Sequence, residues 1–307
     1  MTKIAINIIN WQQAQLTIDT IESIKKIVHP NFSYHIYLID SGSKDSSPNI
    51  LSEKYASDKL VSFIGLDKNI GFSGCNNVGI KLALRNKFDY VLLINNDVIV
   101  DKFFLVHLLT PFKANSQIGV VGPKIYFAPG YEYQKNRYKK NELGKVIWSA
   151  GGAFDWNNIY TKNIGIDEVD SGQYDKPQHN MEFLTNCCVL IKTEVFKKVG
   201  LMPEDYFMYC EDADFCQQIY RQGYLLSYQP KSIIWHINSG SSSAGGGAFH
   251  DYFLTRNRLI LSSKYASFRT KFALLRESVK LLFKGTPWQK RGVIDFYLGV
   301  TKKGSWQ

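Results

Sequence analysis

The chain has 307 residues, 45% hydrophobic and 21% charged, enough to bury a full core and to exclude disorder as its main state. Its five cysteines (Cys75, Cys187, Cys188, Cys210 and Cys216) form no C-x-x-C pair, which argues against a zinc ribbon or a disulfide framework and for a reduced, cytosolic setting. Of the formal net charge of +10, the segment Asp251 to Gln307 alone supplies +9, from 12 Lys or Arg against 3 Asp or Glu, so a nearly neutral body carries a basic tail.

From the N-terminus, the apolar stretch between Met1 and Asn10 is too short for a signal peptide, and no run reaches the ~20 residues of a membrane span. Ile4 to Ile9 is a β-branched run that predicts a buried strand. Ile18, Ile21, Ile24 and Ile27 recur every three residues and predict a helix closed by Pro30. Tyr34 to Ile39 reads as a second strand, Ser47 to Tyr55 as a helix, Val61 to Leu66 as extended, Asn76 to Leu84 as a helix and Tyr90 to Ile94 as extended. This alternation predicts βαβ units and a mostly parallel sheet with helices on both faces. Ligands of such sheets sit beyond the carboxyl ends of the strands, here around Asn10, Asp40, Asn69 and Asn95.

After Tyr126 the alternation fades. Pro129 to Lys145 and Asn157 to Asn180 read as irregular. Glu182 to Ile191 predicts a strand, Glu194 to Val199 and Asp212 to Arg221 helices, and Ile233 to Trp235 a strand ending at His236. Asn238 to Gly247, rich in Ser and Gly, reads as a linker or a mobile loop. The reading is one α/β catalytic domain over 1–250 and a basic helical extension over 251–307.

Three clusters carry chemistry. Asn95-Asn96-Asp97 ends a strand, and a carboxylate with amide oxygens suits Mg²⁺ or Mn²⁺; capping of a helix near Asp101 is the plainer alternative. Asn69 to Asn77 is Gly- and Asn-rich and runs into a helix, without the spacing of a dinucleotide fingerprint or the Lys of a P-loop. Glu211, Asp212 and Asp214 crowd a helix start, more acid than dipole complementarity requires. His236, at the end of the next extended segment, is a candidate ligand.

Taken together, IINWQQ (8–13), LIDSGSKDSS (38–47), NIGFSGCNNVG (69–79), LLINNDV (92–98), SAGG (149–152), YCEDADFCQQIYRQGY (209–224) and WHINSGSS (235–242) resemble, in order, the family-2 glycosyltransferases of GT-A fold, and within them the bacterial rhamnosyltransferase-like branch. The resemblance implies a GT-A type nucleotide-diphospho-sugar transferase fold with a C-terminal helical extension. It implies that Asp40 bonds a pyrimidine base with Asn10 and Trp11 beside it, and that Asn69, Gly71 and Asn77 flank the nucleotide and sugar. Asn95 stands where the family's D-x-D has its first Asp, with Asn96 next to it, so a two-carboxylate metal site is not implied. Asp97 and His236 match the metal ligands and Asp212 the general base. The implied reaction is an inverting, Mg²⁺- or Mn²⁺-dependent transfer from a dTDP- or UDP-sugar, rhamnose among the candidates, to a glycan or lipid-linked saccharide.

A nucleotidyltransferase would carry a basic, Gly-rich loop after the first strand, where this chain has Asn10-Trp11-Gln12-Gln13. Intact Asp97, Asp212 and His236 speak against a non-catalytic carbohydrate-binding relative. The tail shows no nucleic-acid module, and no nucleic-acid partner is expected. Instead Phe268, Phe272, Leu275, Val279 and Leu282 fall on one helical stripe beside Arg269, Arg276, Lys280 and Lys284, which suits either an anionic membrane surface or packing on the body.

Overall fold

The computed structural model describes residues 1–134, 136–237 and 246–306. Most of the Ser/Gly stretch read as a linker or mobile loop lies outside the described residues. The first hundred residues alternate as expected: β1 (Thr2–Asn10), α1 (Ala14–Ile24), β2 (Phe32–Asp40), α2 (Ser47–Tyr55), β3 (Val61–Gly65), α3 (Gly71–Arg85) and β4 (Tyr90–Ile94). α3 starts at Gly71, five residues before the predicted Asn76, because the Asn69 side chain accepts the Gly71 N–H (2.9 Å) and opens the helix there.

The chain continues through β5 (Val98–Val100), α4 (Phe104–Ala114), β6 (Ile118–Phe127), β7 (Ile147–Ser149), a hairpin of β8 (Gly152–Asp155) and β9 (Tyr160–Asn163), β10 (Cys188–Lys192), α5 (Thr193–Val199), α6 (Glu211–Arg221) and β11 (Leu225–His236). The strand expected from Glu182 is ordered into the ladder only from Cys188. Glu182 instead accepts hydrogen bonds from the Phe154 N–H and the Trp156 indole, tying this segment to the hairpin. Three helices follow: α7 (Gly246–Tyr265), α8 (Phe268–Lys284) and α9 (Pro287–Tyr297).

The main sheet runs β3-β2-β1-β4-β10-β6-β11-β5. β3, β2, β1 and β4 are all parallel, as βαβ crossovers require. Beyond β4 the sheet is mixed: β10 is antiparallel to both neighbours, β6 and β11 are parallel, and β5 closes the edge antiparallel to β11. Side chains alternate across it. Ile4, Ile6 and Ile8 of β1 pack with Ile21 and Ile24 of α1, while Ala5 joins the core on the opposite face with Cys75 and Ile80 of α3. Gly79 of α3 sits so close to β1 that a Cβ there would lie 2.5 Å from the Asn7 amide carbon, which is what lets this helix reach the sheet.

The division expected at residue 250 falls inside α7, which is tied to the body by hydrogen bonds. Arg256 and Asn257 are fully buried in the body, and Lys264 reaches the buried Asp214 of α6 at 2.6 Å. α9 locks on behind it: Arg256 donates to the Lys302 carbonyl (2.7 Å), and the Tyr252 hydroxyl donates to Asp295.

Candidate active site

Registry builds the first part of the site. Asn10 and Asp40 are directly paired across β1 and β2, so their side chains emerge together at the strand ends. Asn10 donates to Asp40 (2.7 Å), whose carboxylate also accepts from the Ser43 N–H (2.9 Å) and hydroxyl (2.8 Å). Asn10 in turn accepts from Thr17 of α1 (2.7 Å), and Asn96 donates to the same hydroxyl (2.9 Å). One polar chain thus joins the ends of β1, β2 and β4. Trp11, next to Asn10 in the chain, is 39% exposed. Asn95 is fixed through its backbone N–H to the Cys187 carbonyl (2.9 Å). Thr17 and Ser43 were not singled out in the sequence, where nothing distinguishes them from ordinary helix and turn hydroxyls.

Registry also makes the second part. His236 pairs with Val98 across β11 and β5, and the Ile237 N–H donates to the Asp97 carbonyl (2.8 Å). His236 Nε2 therefore lies 3.2 Å from Asp97 Oδ1, although 139 positions separate the residues, and both are buried. The Trp148 ring meets the imidazole edge-on at 4.7 Å between centroids, and His236 Nδ1 has no hydrogen-bond partner among the described residues.

The third part is α6. Its approach is strained: Phe207, Tyr209 and Cys210 all have φ near +70° (67°, 69° and 70°), a conformation that costs a non-glycine residue on the order of 1–3 kcal/mol. The turn is held from α7. Asn257 Nδ2 lies 2.9, 2.7 and 3.0 Å from the carbonyl oxygens of Tyr206, Met208 and Tyr209, its two hydrogens shared among the three. Arg256 adds a bond to the Tyr206 carbonyl (2.9 Å), and the Lys302 N–H donates to that of Asp205 (2.6 Å).

The acidic cluster at this helix start divides by partner. Asp214 is fully buried and satisfied by the Tyr206 hydroxyl (2.8 Å), Gln218 (2.9 Å), Lys264 and the Tyr265 hydroxyl, so it is a structural anchor. Asp212 is half-buried, with its carboxylate accepting the Ala213 N–H (2.8 Å). Burial raises its pKa above the ordinary carboxylate value, with the Ala213 and Asn186 N–H groups pulling the other way. Glu211 is raised too, by burial and then by the Asp212 charge, and its Oε2 has no partner among the described residues. Segment 186–187 joins this cluster to the Asp97–His236 pair: the Asn186 N–H faces Asp212, and the Cys187 thiol is pushed up by burial and by the Asp97 charge. Asn186 was missed in the sequence because its position depends on the antiparallel insertion of β10, which no local pattern announces.

Two expected ligand-binding residues have other duties. Asn77 is buried, and its amide bonds Met202, through both N–H and carbonyl (3.0 and 2.9 Å), and Glu204 (2.9 Å). Gly71 has a backbone reason to be glycine, since its φ is +83° and a Cβ would lie 2.7 Å from the Phe207 carbonyl oxygen.

The donor set suits a hard divalent cation. Two ligand atoms on one octahedral ion with bonds of ~2.1 Å lie ~3 Å apart, close to the Asp97–His236 separation. No group of three His, Cys, Asp or Glu side chains able to hold a metal occurs among the described residues.

Residues 6–200 match the family model described as "Glycosyl transferase family 2". Among curated proteins, the chain is 24% identical over 215 residues to the N-acetylglucosaminyl-diphospho-decaprenol L-rhamnosyltransferase of Mycobacterium tuberculosis, covering 67% of each chain. It is 22% identical to a low-salt glycan biosynthesis hexosyltransferase of Haloferax volcanii, over 73% of this chain and 67% of that one. It is 23% identical to the poly-beta-1,6-N-acetyl-D-glucosamine synthase of Staphylococcus epidermidis, over 74% of this chain and 48% of that one. Among solved structures, GalNAc-T7 with UDP, GalNAc and Mn²⁺ superposes with a TM-score of 0.61 at 16% identity, over 91% of this chain and 55% of that one. The mannosyltransferase of Pyrobaculum calidifontis with GDP-Man and Mn²⁺ gives 0.57 at 12%, over 96% and 74%. These likenesses carry the GT-A type fold.

Proposed function

We propose a reaction for this chain on the premise that it belongs to glycosyl transferase family 2. It is a glycosyltransferase that draws on nucleotide-sugar donors. We propose that it moves a hexosyl group, with rhamnose the first candidate, from a dTDP- or UDP-sugar to a hydroxyl of a glycan or lipid-linked saccharide, inverting the anomeric carbon. The setting would be surface-polysaccharide or cell-wall synthesis, in the cytoplasm against the inner face of the membrane. The mycobacterial rhamnosyltransferase supports this choice of sugar and acceptor class.

The observation that carries the reading is the presentation of Asp212. A strained turn and a buried clamp hold this carboxylate near segment 186–187, which also borders the Asp97–His236 pair. Asp212 takes the acceptor hydroxyl's proton as that oxygen attacks the anomeric carbon. The bond from that carbon to the diphosphate oxygen breaks, and the nucleoside diphosphate leaves with the electron pair. A raised pKa makes Asp212 a stronger base than a free carboxylate while leaving it ionised near neutrality. Asp40, Asn10 and Trp11 would take the base, with Asn69, Asn95 and Asn96 along the ribose and diphosphate. Asp97 and His236 would hold Mg²⁺ or Mn²⁺, which when bound offsets the charge growing on the leaving diphosphate.

The test is a panel of nucleotide sugars incubated with the full chain and Mn²⁺, reading released nucleoside diphosphate. One dTDP- or UDP-sugar should be turned over, and excess EDTA should stop it. Equal turnover in EDTA would remove the metal from the reading, and no release from any donor would remove the reaction.

A further inference from the structure

α8 is built inside out for a helix in water. The residues it turns to the body are Thr270, Leu274 and Ser278, two of them hydroxylic. The residues it turns to solvent are Phe268, Phe272, Leu275, Val279, Leu282 and Phe283, with Phe268 87% and Phe283 78% exposed. At 100° per residue these six fall within about a third of the circumference, on an arc centred about 130° from the centre of the buried face. Arg269, Arg276, Lys280 and Lys284 follow along one flank of the stripe and Lys271 along the other, all exposed and none in an ion pair among the described residues. The acid on the helix, Glu277, is taken by Arg258 at 2.7 and 3.0 Å, so nothing on α8 offsets the five positive charges.

We propose that the exposed face of α8 docks on an anionic lipid bilayer, with the phenylalanines in the acyl boundary and the flanking bases on lipid phosphates. A soluble surface rarely leaves so continuous an apolar ridge uncovered. Charge decides the occupant. A second copy would bring five uncompensated bases against five more, whereas an anionic surface neutralises them while the ridge is buried. No helix among the described residues is long and apolar enough to cross a membrane, so attachment is to the surface. This docking does not rest on the transferase reading, and it is measured without any substrate.

The experiment is flotation of the full chain with vesicles of phosphatidylcholine alone or mixed equally with phosphatidylglycerol, at low and high salt. Wild type should float with the anionic vesicles at least tenfold better than with the neutral ones, and high salt should weaken that binding. The double variant Phe272→Ser/Phe283→Ser, changed only at exposed positions, should keep its melting temperature and lose vesicle binding at least tenfold. Arg276→Glu/Lys280→Glu should lose the preference for anionic vesicles. Absence of wild-type flotation overturns the proposal. So does a concentration-dependent dimer that Phe272→Ser/Phe283→Ser abolishes while vesicles are ignored, since the face would then belong to a second copy.

Discussion

α7 and α8 are consecutive helices drawn from the same basic tail, and they treat their side chains in opposite ways. α7 buries an arginine and an asparagine completely and turns their hydrogen bonds toward the turn that carries Asp212. α8 buries one leucine and two small hydroxyls and leaves phenylalanines in water. The difference teaches that charge and helix content say little about whether a segment belongs to a catalytic body; the fate of each polar atom does. A buried arginine is tolerable only where its N–H groups find oxygens, and four of the five on Arg256 do, at the Tyr206 and Lys302 carbonyls, Tyr252 and Asn257.

If α7 serves the site and α8 does not, the largest effect should come from the group α7 holds in place. Asp212→Asn should lower turnover by roughly 10²–10⁴-fold while nucleoside diphosphate affinity, read by calorimetry, stays within a few-fold. A variant retaining a tenth of wild-type turnover would move the base elsewhere in the cluster. Next in size is Asn257→Ala, which strips three carbonyls of a shared donor. It should cost about 1–3 kcal/mol in chemical denaturation and lower kcat more than it changes KM for the donor. Loss of stability with kcat intact would make α7 a packing element only.

A pH profile refines the same contrast. Transfer should rise with pH through a midpoint above the ordinary aspartate value of about 3.9, since Asp212 must be ionised and its pKa is raised by burial. Stability runs the other way. Glu211 binds its proton more tightly folded than unfolded, so that contribution is complete below its unfolded value of about 4.3 and is lost as pH climbs through the raised one. Glu211→Gln should flatten this fall in urea titrations across that window, and an unchanged slope would show that Glu211 is not its source. The smallest effect belongs to α8: Phe272→Ser should change stability by no more than about 0.5 kcal/mol and leave transfer to a soluble acceptor untouched.

The parallel half of the molecule was legible because each of its elements declares itself locally. Isoleucines every three residues gave α1, and polar residues closing apolar runs gave the strand ends where Asn10, Asp40 and Asp97 lie. The pairing of Asp97 with His236 was legible only through the rule that strand ends share a rim. What stayed hidden depends on distant chain. Nothing near Asn77 in the chain reveals that its amide bonds Met202 and Glu204. The +9 segment read as one appendage because a buried arginine and a surface arginine are the same letter, and only the partners at Tyr206 and Lys302 tell them apart.

The clamp on the strained turn also sets a time. Asp212 leaves the ribosome about 45 residues ahead of Asn257 and some 90 ahead of Lys302, whose N–H bonds the Asp205 carbonyl. During synthesis the sheet and the Asp97–His236 pair can form first, but the turn before Asp212 is clamped only when the later segment arrives and folds back. A released chain truncated before Asn257 should therefore transfer nothing, read as the absence of nucleoside diphosphate release from a donor that the full chain turns over.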